Sequence, residues 1–152
     1  MKVKEIMIED VLMIDKNESV TNLMKCLTEN KIGGVPVVDE DHHLLGMISD
    51  GDVIRALSPK EQNIFDFYSL IVLVEKPELK ERIRRFLEKS VEQVMTKRKI
   101  EVVKPEDSLQ DILNILSHHH FKKIPVINND NKVVGVVSRG DVIRYITKQM
   151  LE

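Results

Sequence analysis

The chain has 152 residues, 42% hydrophobic and only 4% aromatic, so it can bury a core, but one built from Val, Ile, Leu and Met. That apolar content argues against a disordered chain, and a formal charge of -2 gives no electrostatic case for a dedicated nucleic-acid binder. The single cysteine, Cys26, has no disulfide partner and no Cys-x-x-Cys neighbour for zinc, so it is expected to sit buried and inert in a helix in a reducing compartment.

Residues 3–7 read as a helical turn leading into an apolar strand over residues 11–14. Ser19 has the look of an N-cap, and after it Val20, Leu23, Met24 and Leu27 recur at helical spacing, giving a helix with one apolar face that ends near Asn30. Gly33 and Gly34 break it. Residues 35–38 read as a buried strand with Pro36 near its start, residues 39–43 as a polar turn, residues 44–48 as a second strand, and a second helix runs from Asp52 through Ile54 and Leu57. The longest purely apolar run, residues 70–74, is far too short to cross a bilayer, and the N-terminus lacks the apolar region of a signal peptide. No membrane association and a cytoplasmic location are the expectation.

The same order then repeats. Ser108, Pro125, Gly135 and Asp141 each lie 89 positions after Ser19, Pro36, Gly46 and Asp52, one offset for four landmark residues. Residues 91–95 match residues 3–7 with a one-residue slip. A strand over residues 100–103, a helix with Leu109, Ile112, Leu113 and Leu116 on one face, strands over 124–127 and 133–137 and a helix from Asp141 complete the second copy. Units this small cannot each bury a full core, so the copies are expected to pack together. The division is residues 1–58, an insertion at 59–90, and residues 91–152. In the insertion Ile64, Phe65, Phe67, Leu70, Ile71 and Leu73 are apolar, and residues 78–89 read as a charged helix, separated from an earlier one near Pro77. It either packs back on the repeats as a linker or presents a partner or dimer surface; both remain open at the level of sequence.

The best-matched stretch is Gly-Met-Ile-Ser-Asp-Gly-Asp-Val-Ile-Arg at residues 46–55, which recurs as Gly-Val-Val-Ser-Arg-Gly-Asp-Val-Ile-Arg at residues 135–144. Each copy is a strand, a tight turn and a helix start. A helix start offers unpaired N–H groups and the positive end of a dipole to an anion, and a nearby carboxylate can accept from sugar hydroxyls. Ser49 with Asp52, and Ser138 with Asp141, equally have the spacing of a capping box, which would merely start two helices.

With these residues in hand, the chain resembles a tandem pair of cystathionine-β-synthase (CBS) domains, a Bateman module. The resemblance rests on the doubled Val/Ile-Pro-Val strand and Gly-x-x-Ser-x-x-Asp turn and covers the chain outside the insertion. It implies an α/β (α+β) fold in which each repeat is a three-stranded sheet with two helices, the repeats related by a pseudo-twofold axis with clefts between them. It also implies an adenosine-containing ligand, AMP, ADP, ATP or S-adenosylmethionine, with no cofactor required. Carried over by position, Asp52 and Asp141 would accept from the ribose, and Ser49 and Ser138 would contact ribose or phosphate. Val11, Met13 and Ile14 with Gly34, Val35 and Pro36, and Ile100 and Val102 with Ile124 and Pro125, would line the adenine pockets. The family often has a threonine in the leading strand where Met13 and Val102 stand here. Lys122, Lys123 and Arg139 replace Gly33, Gly34 and Asp50 of the first copy, so the second cleft is expected to take the more phosphorylated ligand. The resemblance further implies a homodimer and a separate regulated protein.

His118, His119 and His120 are consecutive, and adjacent helical residues point about 100° apart, so the three cannot converge on one metal ion. His42 and His43 fall in a predicted turn and are expected at the surface. The chain carries no P-loop lysine and no nucleophile-base pairing that sequence would reveal, so a non-enzymatic regulatory module is the leading expectation and a ligand-free structural or interaction domain the alternative.

Overall fold

A computed structural model of the protein describes residues 1–58, 79–96, 98–118 and 122–151. A short 3-10 turn, Val3–Glu5, precedes β1 (Ile14–Asp15), α1 (Val20–Glu29), β2 (Gly34–Val38), β3 (Leu44–Ser49) and α2 (Asp50–Leu57). Then come α3 (Leu79–Leu87), α4 (Val91–Val94), α5 (Leu109–Leu116), β4 (Lys123–Ile127), β5 (Val133–Ser138) and α6 (Arg139–Leu151). The fold is α+β, with two repeats of one plan. β2 and β3 pair antiparallel with Gly34 opposite Ser49 and Pro36 opposite Met47; β4 and β5 repeat this with Lys123 opposite Ser138 and Pro125 opposite Val136. Both hairpins shift register just before their last pair.

The leading strands are shorter than the sequence predicts, and the prolines explain why. The strand expected over residues 11–14 is β1, Ile14–Asp15, parallel to β2; the one expected over 100–103 is a single parallel bridge between Val103 and Val126, so the second sheet has two strands rather than three. Val103 N donates to Pro125 O at 3.2 Å and Ile127 N to Val103 O at 3.0 Å, so this edge of β4 faces the leading segment. The next rung back would need an N–H from Pro125, which proline lacks, and Pro36 ends β1 in the same way. At the other end Lys16 N donates to Val38 O at 3.0 Å, but the residue 89 positions on is Pro105, which cannot. The second ladder therefore stops at one rung.

Each repeat has its own apolar cluster, and each is completed by the leading segment of the other. Val3 and Ile6 are buried with Val103, Ile112, Leu116, Ile124, Val126, Val137 and Val142 of the second repeat. Val91 is buried with Val20, Leu23, Leu27, Val35, Val37, Ile48 and Val53 of the first. Backbone bonds fix the exchange: Val3 N to Asp107 O and Lys4 N to Pro105 O, and reciprocally Val91 N to Glu18 O and Glu92 N to Lys16 O. Glycines make room for it. A Cβ on Gly135 would lie 2.6 Å from Met7 Sδ, and one on Gly46 2.9 Å from Met95 Sδ.

Phe86 of α3 is buried in the first cluster, and Thr21 Oγ1 donates to Leu87 O at 3.1 Å, so the described end of the insertion packs back on the first repeat. Ile64, Phe65, Phe67, Leu70, Ile71, Leu73 and the break at Pro77 lie outside the described residues. The pseudo-twofold axis is marked by residues touching their own counterparts or exchanging equivalent bonds. His43 bridges Lys132, Leu44 N donates to Asn131 O at 2.9 Å, Val133 N donates to His42 O at 3.1 Å, and Lys123 Nζ donates to Gly34 O at 3.1 Å.

Candidate functional site

The strand-turn-helix corners form as the repeated decamer predicts. Ser49 N donates to Asp52 Oδ2 at 2.9 Å and Asp52 N to Ser49 Oγ at 3.4 Å, a complete capping box at the start of α2. At the start of α6, Ser138 N donates to Asp141 Oδ2 at 2.8 Å and Asp141 N to Ser138 Oγ at 3.2 Å. The remaining carboxylate oxygens point elsewhere. Asp141 Oδ1 accepts from Arg144 at 2.8 Å; Asp52 Oδ1 accepts from Arg55 at 2.8 Å and also from Thr96 Oγ1 at 2.6 Å. The two side chains are only 10% and 12% exposed, Asp52 and Asp141 respectively.

Burial pushes both carboxyls up, but hydrogen bonds outweigh it. Asp52 is held below the ordinary aspartate value by Thr96, Arg55 and Ser49, and Asp141 by Ser138 and Arg144. Each helix start therefore holds an ionised, mostly covered acceptor.

Hairpin register brings the other nominated residues to these corners. Gly34 lies opposite Ser49, and Asp50 N donates to Gly33 O at 2.9 Å; Lys123 lies opposite Ser138, and Arg139 N donates to Lys122 O at 3.3 Å. A Cβ on Gly34 would come within 3.1 Å of Ile48 O, so a side chain there meets backbone. The cations do not converge: Lys123 crosses to Gly34 O, Arg139 donates to His118 O at 3.1 Å, and Lys122 is exposed. Ile14, Val35, Pro36, Ile124 and Pro125 are buried; Val11, Met13, Ile100 and Val102 are half-buried. Met13 and Ile14 line a hollow of about 360 Å³ with Asp15, Glu18, Asn22 and Cys26, beside α1 and away from Ser49 and Asp52. Cys26 lies on α1 as expected, but it is half-buried rather than buried, because it borders that hollow.

Three features escaped the sequence. Thr96 meets Asp52 across 44 positions of chain. A hollow of about 420 Å³ forms where Ala56, Leu57 and Ser58 meet Arg82, Arg85, Phe86 and Lys89, because Phe86 draws α3 onto the end of α2. Asp39, Asp41 and His43 place ligand-type atoms within 4.8 Å of one another. That last cluster has a local cause: Asp39 Oδ1 accepts from the backbone N–H groups of Asp41 and His43, and Oδ2 meets His43 Nδ1 at 3.0 Å, which closes the turn. His42 is exposed and His43 half-buried. His118 is exposed, while His119 and His120 lie outside the described residues. Among the described residues no helix is long and apolar enough to cross a membrane.

Comparison with known proteins agrees with this fold. A family model for the CBS domain matches residues 3–59 and again 91–148. The uncharacterised protein MJ1426 of Methanocaldococcus jannaschii is 28% identical over 155 residues, which span 96% of this chain and 91% of MJ1426. The chloroplastic CBS domain-containing protein CBSX1 of Arabidopsis thaliana is 30% identical over 148 residues, 90% of this chain but 59% of CBSX1. Among solved structures, CBSX2 in complex with AMP matches with a TM-score of 0.73 and 25% identity, covering 97% of both chains. The CBS domain pair of MJ0100, solved with 5'-methylthioadenosine and S-adenosyl-L-methionine, shares the fold with a TM-score of 0.71 at 23% identity, over 98% of both chains. Matched twice by one family model and alike in fold to solved pairs over nearly its whole length, the chain belongs to the CBS-domain family, as a tandem pair of CBS domains.

Proposed function

We propose that this protein is a regulatory module that binds an adenosine-containing ligand, AMP, ADP, ATP or S-adenosylmethionine, at the corners built on Ser49 with Asp52 and Ser138 with Asp141. The observation that carries this is the pair of mostly covered, ionised carboxylates, each held at a helix N-terminus beside a buried Pro-containing strand. A carboxylate there accepts from ribose hydroxyls while the helix start favours the phosphate. The AMP complex of CBSX2, similar over nearly all of both chains, supports AMP as the first ligand to try. Adenine would lie against Val11, Met13, Ile14 and Val35 in one repeat and Ile100, Val102 and Ile124 in the other. For Lys122, Lys123 and Arg139 to serve a more phosphorylated ligand at the second corner, Lys123 would have to leave Gly34 O and Arg139 leave His118 O. No catalytic step and no cofactor are part of this role.

The ligand would act by differential affinity for two relative arrangements of the repeats and so report to a regulated protein in trans, in the cytoplasm. A homodimer fits the exposed apolar positions. Ile54 on α2 and Ile143 on α6 are equivalent residues and are 67% and 65% exposed, and Met150 and Leu151 extend the second face. The repeats would span residues 1–58 and 91–152 with 59–90 joining them. Isothermal titration with AMP against Asp52→Asn and Asp141→Asn tests the ligand role; each substitution is expected to weaken binding at its own corner at least tenfold, and unchanged affinity in both variants would defeat it.

One observation favours a second reading, a ligand-free interaction scaffold: both Ser/Asp pairs are engaged with one another as helix caps. On that reading the titration shows no AMP binding to the unmodified protein.

A further inference from the structure

We propose that the two corners are unequal, with Thr96 latching the Asp52 corner shut while the Asp141 corner stays open to ligand; this rests on the adenosine-binding role proposed above. An ionised carboxylate has about four lone-pair directions to offer. Asp52 uses all of them: Ser49 N and Ser49 Oγ meet Oδ2 at 2.9 and 3.1 Å, and Arg55 and Thr96 meet Oδ1 at 2.8 and 2.6 Å. Asp141 has the same two contacts from Ser138 and the one from Arg144, and among the described residues nothing takes the place of Thr96. The sequence shows the reason. Allowing for the slip that aligns residues 3–7 with 91–95, the counterpart of Thr96 is Ile8, whose side chain has no donor. Ile8 instead exchanges backbone bonds with Val136, N to O at 2.9 Å and O from N at 3.0 Å.

A ribose hydroxyl reaching Asp52 Oδ1 must therefore displace the Thr96 hydroxyl, whereas one reaching Asp141 Oδ1 finds an acceptor direction open. Displacement has a structural consequence. Thr96 follows Met95, which packs on Gly46, and α4, whose Val91 completes the first apolar cluster. Ligand at the Asp52 corner loosens the segment that joins the repeats; ligand at the Asp141 corner does not. The second corner is the standing site, and the first couples occupancy to the joint.

Isothermal titration with AMP on the full chain, comparing the unmodified protein with Thr96→Val and Thr96→Ser, tests this, with Asp52→Asn and Asp141→Asn in each background to say which corner is being read. Expected are two unequal affinities, the tighter removed by Asp141→Asn. Thr96→Val should tighten the weaker one about tenfold, the worth of one hydrogen bond to a charged group, leaving the tighter one unchanged. Thr96→Ser, which keeps the hydroxyl, should match the unmodified protein. Two affinities that Thr96→Val leaves unmoved, or a Thr96→Ser protein that behaves like Thr96→Val, would overturn the latch while the ligand role stands. No AMP binding to any of the proteins would overturn the ligand role and the latch with it.

Discussion

Asp52 and Asp141 each do two jobs with one carboxylate, and the jobs separate by oxygen. Oδ2 closes the capping box on the serine, and Oδ1 faces Arg55 or Arg144 and, at Asp52, Thr96. Asp141→Ala should therefore lose both ligand and cap, lowering stability by about 1 kcal/mol in a urea melt, while Asp141→Asn, which can still accept at the cap, should lose less. Acid should act through the same groups. Both aspartates have folded values below those of the unfolded chain, because hydrogen bonds outweigh the upward push of burial. Their contribution is then fully present above about pH 4 and is lost as pH falls through the lower folded values. Melting temperatures recorded from pH 6 down to pH 3 should fall below pH 4, and Asp52→Asn should flatten part of that fall.

Among the secondary elements, the repeat is held by contacts between a leading segment and the partner repeat's hairpin. Gly135→Ala drives a methyl into Met7, against Sδ at 2.6 Å and also Cγ at 3.1 Å and Cβ at 3.2 Å, so the methionine cannot simply swing its end away. Gly46→Ala meets Met95 at Sδ and Cε, nearer the flexible end. The first substitution should cost about 1–3 kcal/mol in chemical unfolding and the second less. Much of this level was legible in the sequence because its determinants are local. Ser19 caps α1 through Asn22 N, Asn30 ends it, and the doubled prolines and Ser/Asp pairs lie where the offset puts them. Residues 11–13 misled because an apolar run reads as a strand, whereas the strand's length was set by Pro36 on its neighbour. Leu113 lies on the predicted apolar stripe of α5 yet is 38% exposed, since periodicity does not say how wide the buried face will be. Thr96 could not be found, because nothing local to a threonine after Met95 announces a partner 44 positions earlier.

At the scale of the whole molecule, exchange of leading segments makes the two repeats one structure: Val3 and Ile6 complete the second apolar cluster and Val91 the first. The repeats also meet at the axis, where His43 bridges Lys132 and Lys123 reaches Gly34. The apolar faces at Ile54 and Ile143 lie on α2 and α6, whose first turns hold Asp52 and Asp141, so the proposed dimer and the proposed ligand sites would share helices. Ile54→Asp with Ile143→Asp should convert a dimer to a monomer in analytical ultracentrifugation with AMP affinity changed less than threefold, since neither side chain belongs to a corner.

The most direct measurement is the melting temperature of the unmodified protein across a series of AMP concentrations up to the millimolar range. A ligand that grips only the folded corners must raise it, by about 2.7 kcal/mol of added stability at a hundredfold excess over Kd, and Asp52→Asn combined with Asp141→Asn should at least halve the rise. A melting temperature that stays flat with AMP, and with ADP, ATP and S-adenosylmethionine in the same buffer, would contradict the account and leave the paired corners as helix caps.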